Sequence, residues 1–266
     1  MTATPTVKVL LLLRCSLSAS TLRKQGRRVD RIQITLGLSK QNGKSKKKKD
    51  GAGSSGSSSA KDSLSKELRQ RIFERDGYTC KCCGFQSKKY QEILHINGDV
   101  TDLSEDNLAT VCIFCHQCFN LDQVGNMKSG VLLWLPEVEQ SDLHHMARAI
   151  YVARISQGPI AEAARKALDA LMKRREPIRK RIGTDDAYTL ATVLKDYLSD
   201  HHYSIRSQKL EGIKLFPLDR RIIKEADLEF NQFPQILAYW RSKDGPFGGK
   251  PPQQWFSIYN SIHSGT

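Results

Sequence analysis

The chain has 266 residues, enough for one or two domains with a real core, and 39% of them are hydrophobic. No apolar run approaches the ~20 residues of a membrane helix, which excludes a helical membrane span from the reading. The net charge is +14, but residues 1–60 hold thirteen lysines and arginines against Asp30 and Asp50 alone, so eleven of the fourteen charges sit there and the rest of the chain is nearly balanced. That balance argues against a broad nucleic-acid face on the folded part.

In chain order, Val9 to Leu13 is an apolar run ended by Arg14. It is shorter than the ~7–15 residues of a secretory signal core, so a buried strand is the better expectation. Arg31 to Leu38, R-I-Q-I-T-L-G-L, alternates with period two and reads as a second strand that pairs with the first. Residues 1–39 form a basic N-terminal segment. Residues 40–61 are a linker, with four lysines at Lys46–Lys49 followed by a Gly/Ser run that cannot bury enough surface to order itself. The basic stretch 23–49 is expected to make at most a weak contact with nucleic acid or anionic lipid.

Residues 62–136 form the next unit. Leu64, Leu68 and Ile72 recur every four residues beside Phe73, one face of a helix begun by Asp62 or Ser63 and ended near Asp76-Gly77. It leads straight into Cys80-Lys81-Cys82-Cys83-Gly84. Gln91 to Ile96 is a strand, Asn97-Gly98 a turn, and a helix is expected close to Cys112 and Cys115, carrying Phe119, Leu121 and Val124. Val131 to Leu135 is a short strand stopped by Pro136.

Residues 137–241 read as a mainly helical region. Ser141 is the expected cap of a helix with Leu143, Met146, Ala147, Ile150 and Tyr151 on one face. Ile160–Arg175 follows Gly158-Pro159, and a helix capped by Thr184 or Asp185 comes next. Leu218–Phe230 and Ile236–Trp240 are further helical candidates. The adjacent pairs His144-His145 and His201-His202 point about 100° apart on a helix, so neither pair chelates and both are expected at the surface or at a helix end. Residues 242–266 are a Gly/Pro loop and an aromatic tail, from Trp255 to Ile262, that docks on the core.

Six of the seven cysteines lie between Arg75 and Asn120. Cys80 and Cys83 form one C-x-x-C; Cys112 and Cys115 form another, with 28 residues between the pairs. Two residues between thiols let both sulfurs reach one ion from a tight turn, and two such turns complete a tetrahedral, structural Zn(II) site. Gly84 stands where such a knuckle needs positive φ. Cys118, three residues after Cys115, is an alternative ligand by spacing. Cys82 reads as a small packed or exposed thiol.

The stretches R-D-G-Y-T-C-K-C-C-G, L-H-I-N-G-D and N-L-A-T-V-C-I-F-C-H resemble the HNH (ββα-metal) family over about 45 residues. The fold class that follows is α+β: an HNH-like zinc module with two Cys-x-x-Cys knuckles, then a mainly helical region. By position, the resemblance implies His95 as a general base, Asn107 as the residue orienting the active-site loop and His116 as a catalytic-metal ligand. Leu94 stands where that family has His or Asp, and its side chain cannot coordinate a metal. No catalytic residue is therefore expected, and a metal-dependent DNA endonuclease using His95, Asn107 and His116 is the alternative.

A second resemblance reaches further. I-F-E-R-D-G-Y-T-C-K-C-C-G-F-Q-S-K-K-Y-Q-E-I, then C-I-F-C-H-Q-C-F, L-L-W-L-P-E and K-L-F-P-L-D-R-R are similar to the IcmJ/DotN family of bacterial type IVB secretion systems, across roughly Leu64 to Trp240. This implies an HNH-like zinc fold without nuclease activity. It also implies a subunit of the coupling complex that binds the C-terminal extension of the coupling ATPase (DotL-like) and supports effector recruitment. The expected location is cytoplasmic, peripheral at the inner membrane.

Overall fold

Ser65 starts the first helix, α1 (Lys66–Arg75), by accepting a hydrogen bond from Leu68 N at 3.1 Å. This computed structural model describes residues 31–38, 64–255 and 257. The inner face of α1 buries Ile72 against Ile93 and Leu108, which belong to an antiparallel pair, β1 (Gln91–His95) and β2 (Leu108–Cys112). The register runs from Gln91 opposite Cys112 to His95 opposite Leu108. Because side chains alternate across a strand, Ile93 faces α1 while Leu94 turns into the main core with the knuckle cysteines. The Arg75-Asp76 pair locks this arrangement. Arg75 donates to the carbonyls of Glu105 and Leu108 at 2.6 Å each, and the Asp76 carboxylate accepts from Thr110 N at 2.8 Å.

Two short helices follow, α2 (Ile113–Phe119) and α3 (Leu121–Met127), then β3 (Gly130–Trp134). Helix α4 (Gln140–Arg154) buries twelve of its fifteen residues, so it is the axis of the molecule and not a surface helix. Around it come α5 (Pro159–Met172), α6 (Arg175–Ile182), α7 (Ala187–Asp196) and the short α8 (Asp200–Ser204) and α9 (Arg206–Lys209). Strand β4 (Ile213–Pro217) returns to pair antiparallel with β3, and a hairpin of β5 (Ile222–Glu225) and β6 (Leu228–Asn231) leads to α10 (Phe233–Arg241). The fold is thus mixed α and β, with three two-stranded antiparallel sheets among the described residues. Phe114, Phe233 and Trp240 meet behind the cysteines, with Trp240 edge-on to the other two rings at 5.6 and 5.9 Å.

Five expectations change, beginning with α1, whose cap is Ser65 and not Asp62 or Ser63. Residues 31–38 form no strand. Their backbone instead bonds singly to the knuckle and to helix ends: Ile32 N to Lys81 O, Gly37 N to Cys118 O, and Leu121 N to Gly37 O. The expected partner strand at 9–13 lies outside the described residues, as do the lysine run and most of the tail beyond Trp255. Trp255 itself stacks on Phe247 at 5.3 Å. Leu218–Phe230 is a hairpin and not a helix, since β-branched Ile222 and Ile223 prefer the pleated surface and Ala226, at φ +50°, turns the chain. Helix α7 is capped by Asp186, whose carboxylate accepts from Thr189 N at 2.8 Å, while Asp185 pairs with Arg175 and Arg179. Helix α4 begins after Glu139, so Ser141 lies inside its first turn.

Candidate metal centre

The first knuckle closes on backbone bonds, Cys80 N to Phe85 O at 2.9 Å and Gly84 N to Cys80 O at 2.8 Å, with Gly84 at φ +77°. A side chain there would be strained, which is why glycine follows the second thiol. In the second knuckle Cys112 is both the last residue of β2 and the N-cap of α2. The two turns share one local geometry. Cys83 N lies 3.5 Å from Cys80 Sγ, and Cys115 N lies 3.5 Å from Cys112 Sγ. Hairpin pairing does the rest, because it sets Cys112 opposite Gln91, whose amide donates to the carbonyls of Tyr78 and Phe85 beside the first knuckle.

The sulfurs of Cys80, Cys83, Cys112 and Cys115 all lie within 4.8 Å of one another, and those of Cys83 and Cys112 are 3.7 Å apart. A tetrahedron with ~2.3 Å metal–sulfur arms has an edge of ~3.8 Å, so the residues present fit a four-thiolate metal ion. All four are buried, none more than 2% exposed. Hydrogen bonds from Cys112 and Cys115 hold the Cys83 thiol well below its ordinary range, while burial pushes those of Cys112 and Cys115 well above it. Four thiolates cannot coexist in this dry space without a cation among them, and a metal ion supplies one. Cys118 does not join the four. Its sulfur faces the Phe114 carbonyl at 3.7 Å and His144 Nε2 at 3.8 Å, and burial pushes its thiol up. Cys82 is buried beside the cluster.

The histidines on α4 are neither at the surface nor at a helix end, contrary to expectation. His144 is fully buried, with Nδ1 3.3 Å from Cys115 Sγ, and His145 Nε2 lies 2.9 Å from the Cys83 carbonyl. Arg148, also fully buried, places Nη2 2.7 Å from Cys112 Sγ. None of these was legible as a site residue. The available signal was the four-residue spacing of Gln140, His144 and Arg148 along one helix. His201 and His202 are exposed as expected.

The other expected residues lie elsewhere. His95, Asn97 and His116 line a cavity of about 820 Å³, with Glu92, Arg69 and Arg221. Asn107 staples the loop between them, accepting from Asn97 N and donating to the Asp102 carbonyl, both at 2.9 Å. Burial pushes both histidines below their ordinary range, opposed by Asp102 and Asp99 at His95 and by Glu92 at His116. Glu92 is already taken by Arg221 at 3.0 Å. Leu94 is buried in the core. Among the described residues, the one group of three or more ligating side chains close enough to share an ion is the four cysteines.

No family model matches the chain. A curated relative, the type 4 apparatus protein DotN of Legionella pneumophila, is 30% identical over 166 residues, which span 61% of this chain and 77% of that protein.

Proposed function

Since this chain belongs to the IcmJ/DotN family, we propose that it is a zinc-stabilised, non-catalytic subunit of a type IVB secretion apparatus. In this reading it binds the C-terminal extension of the coupling ATPase and supports effector recruitment from the cytoplasmic face of the inner membrane. The observation that carries it is the similarity to a type 4 apparatus protein along 77% of that protein's length. The geometry supports a structural role for the metal. Four buried thiolates fill a tetrahedron and leave no open position for water or substrate, and an S₄ donor set suits zinc. The hairpin β1–β2 followed by α2, with a knuckle before the hairpin and another after it, supports an HNH-like (ββα) module. No helix among the described residues is long and apolar enough to cross a membrane, so membrane placement would come through the ATPase. In this reading the helices beyond β3 supply the seat for an extended partner segment.

Co-expression with the C-terminal extension of the coupling ATPase from the same genome tests the proposal. One stoichiometric complex on gel filtration is expected, with zinc retained. Separate elution at micromolar concentrations of both chains would sink the adaptor role, whatever the metal content.

A further inference from the structure

Helix α4 sets Gln140, His144 and Arg148 four residues apart on one stripe, and that stripe runs beside the four sulfurs. The hydrogen bonds fix its chemistry. Gln140 is held by one backbone unit: Oε1 accepts from Leu215 N at 3.0 Å and Nε2 donates to Leu215 O at 2.7 Å. With the amide so oriented, its second N–H points at His144 Nε2, 2.8 Å away, and that nitrogen accepts. The imidazole proton then sits on Nδ1, 3.3 Å from Cys115 Sγ, and is donated to sulfur.

Arg148 is the stranger residue. Its guanidinium lies 4.0 Å from the Phe85 ring centre and 5.0 Å from that of Phe114. Its Nε and Nη1 are buried without hydrogen-bond partners, and no carboxylate among the described residues pairs with it. A buried cation needs a counter-charge, and the negative charge within reach is sulfur: Cys112 Sγ at 2.7 Å and Cys83 Sγ at 3.9 Å.

We propose that Arg148 is the built-in counter-charge of the four-thiolate metal centre and His144 its fixed N–H donor, so that the metal and helix α4 hold each other in place. This rests on the metal reading above. A divalent ion with four thiolates carries two net negative charges. Arg148 offsets one. The N–H groups of His144, Cys83 and Cys115 spread the other over polarised donors. Neither residue touches the ion; both act through the sulfurs, as positioning residues.

The test uses the full chain loaded with Co(II), whose thiolate-to-metal charge-transfer band reports the charge around sulfur. Arg148→Met, similar in length but uncharged, should shift that band to lower energy and weaken retention of metal against a chelator by ~10–100-fold. Arg148→Lys should recover part of both. His144→Asn, which keeps an N–H donor near the Nδ1 position, should stay close to wild type, while His144→Phe should not. In wild-type protein loaded with NMR-active cadmium, scalar coupling should reach the Arg148 Nη and His144 Nδ1 protons, a readout that does not depend on any variant folding. An unshifted band in Arg148→Met, or absence of both couplings in cadmium-loaded wild type, overturns the proposal while leaving the metal site intact. Wild-type protein that takes up no cobalt or cadmium through its cysteines refutes the metal reading itself.

Discussion

One hairpin carries two regions that were expected to matter, at opposite ends. At one end Cys112 stands opposite Gln91, and four sulfurs, a glutamine, a histidine and an arginine converge on a dry point. At the other end His95 stands opposite Leu108 at the wall of a cavity, its Nε2 buried and unpartnered. The first region draws side chains from β2, α2, α4 and the first knuckle, and most of their polar atoms answer one another. In the second, Asn107 is spent on holding a loop, Glu92 on Arg221, and Leu94 on the core. Convergence of donors from separate elements is what distinguishes a built site from residues that merely match one.

The hardest blow to the first region is Cys112→Ser. It removes one of the four sulfurs placed to hold an ion, which is also the nearest sulfur to Arg148, while the serine hydroxyl can still cap α2. A structural zinc in a small domain contributes on the order of 10–16 kcal/mol, which rivals the ~5–15 kcal/mol stability of a whole domain. Loss of cooperative thermal unfolding is expected in this variant, and in wild type treated with a strong chelator. A wild-type melt in either case would show that the cysteines do not need an ion to stay packed. The aromatic wall behind them comes next. Trp240→Ala should cost ~3–5 kcal/mol in urea denaturation, because Phe85, Phe114 and Phe233 all lean on that ring.

The contrast also explains what was readable in the chain. The knuckles were legible because two residues between thiols, and glycine after them, are local geometry that any surroundings preserve. The strand from Gln91 and the helix over Leu64–Phe73 were legible for the same reason, as short periods with clear ends. Helix α4 was found, but not what its polar residues do. A histidine pair on an amphipathic pattern looks the same whether water or a cluster of cysteines covers it, and only the packing of α5, β4 and α10 around that helix decides. Leu218–Phe230 fits a period of 3.6 and also a two-stranded ribbon; the turn at Ala226 and the closing bonds between Arg221 and residues 231 and 232 chose the ribbon. Arg31–Ile34 alternate in burial, yet residues 31–38 pair with no strand, because their backbone is satisfied by Lys81, Cys118 and Leu121.

Asp76 ties α1 to the middle of β2 and gives a graded test lying between the two ends. Burial pushes its carboxyl up, but hydrogen bonds from Arg75, Thr110 and Lys81 outweigh that and hold it below the ordinary value. A carboxyl whose folded pKa is depressed stabilises the fold fully above its unfolded pKa of about 3.9, and the contribution drains away as pH falls through the lower folded value. Asp76→Asn should therefore cost ~2–3 kcal/mol at neutral pH. The gap between variant and wild type should close in acid. A gap that stays constant with pH would mean Asp76 acts by shape alone.

The smallest effect is expected at the far end. His95→Ala removes a side chain that is half-buried and has one ring nitrogen without a partner, so stability should change by no more than ~1 kcal/mol, and in either direction. Supercoiled plasmid incubated with Mg(II) or Mn(II) should stay intact with wild type and variant alike. Nicking by wild type that His95→Ala lacks would give the second region a chemical task of its own, with Leu94 a tolerated substitution and the cavity of His95 and His116 a site in use. A stability loss of several kcal/mol without nicking would instead place His95 in the hairpin's framework, on the same footing as Asn107.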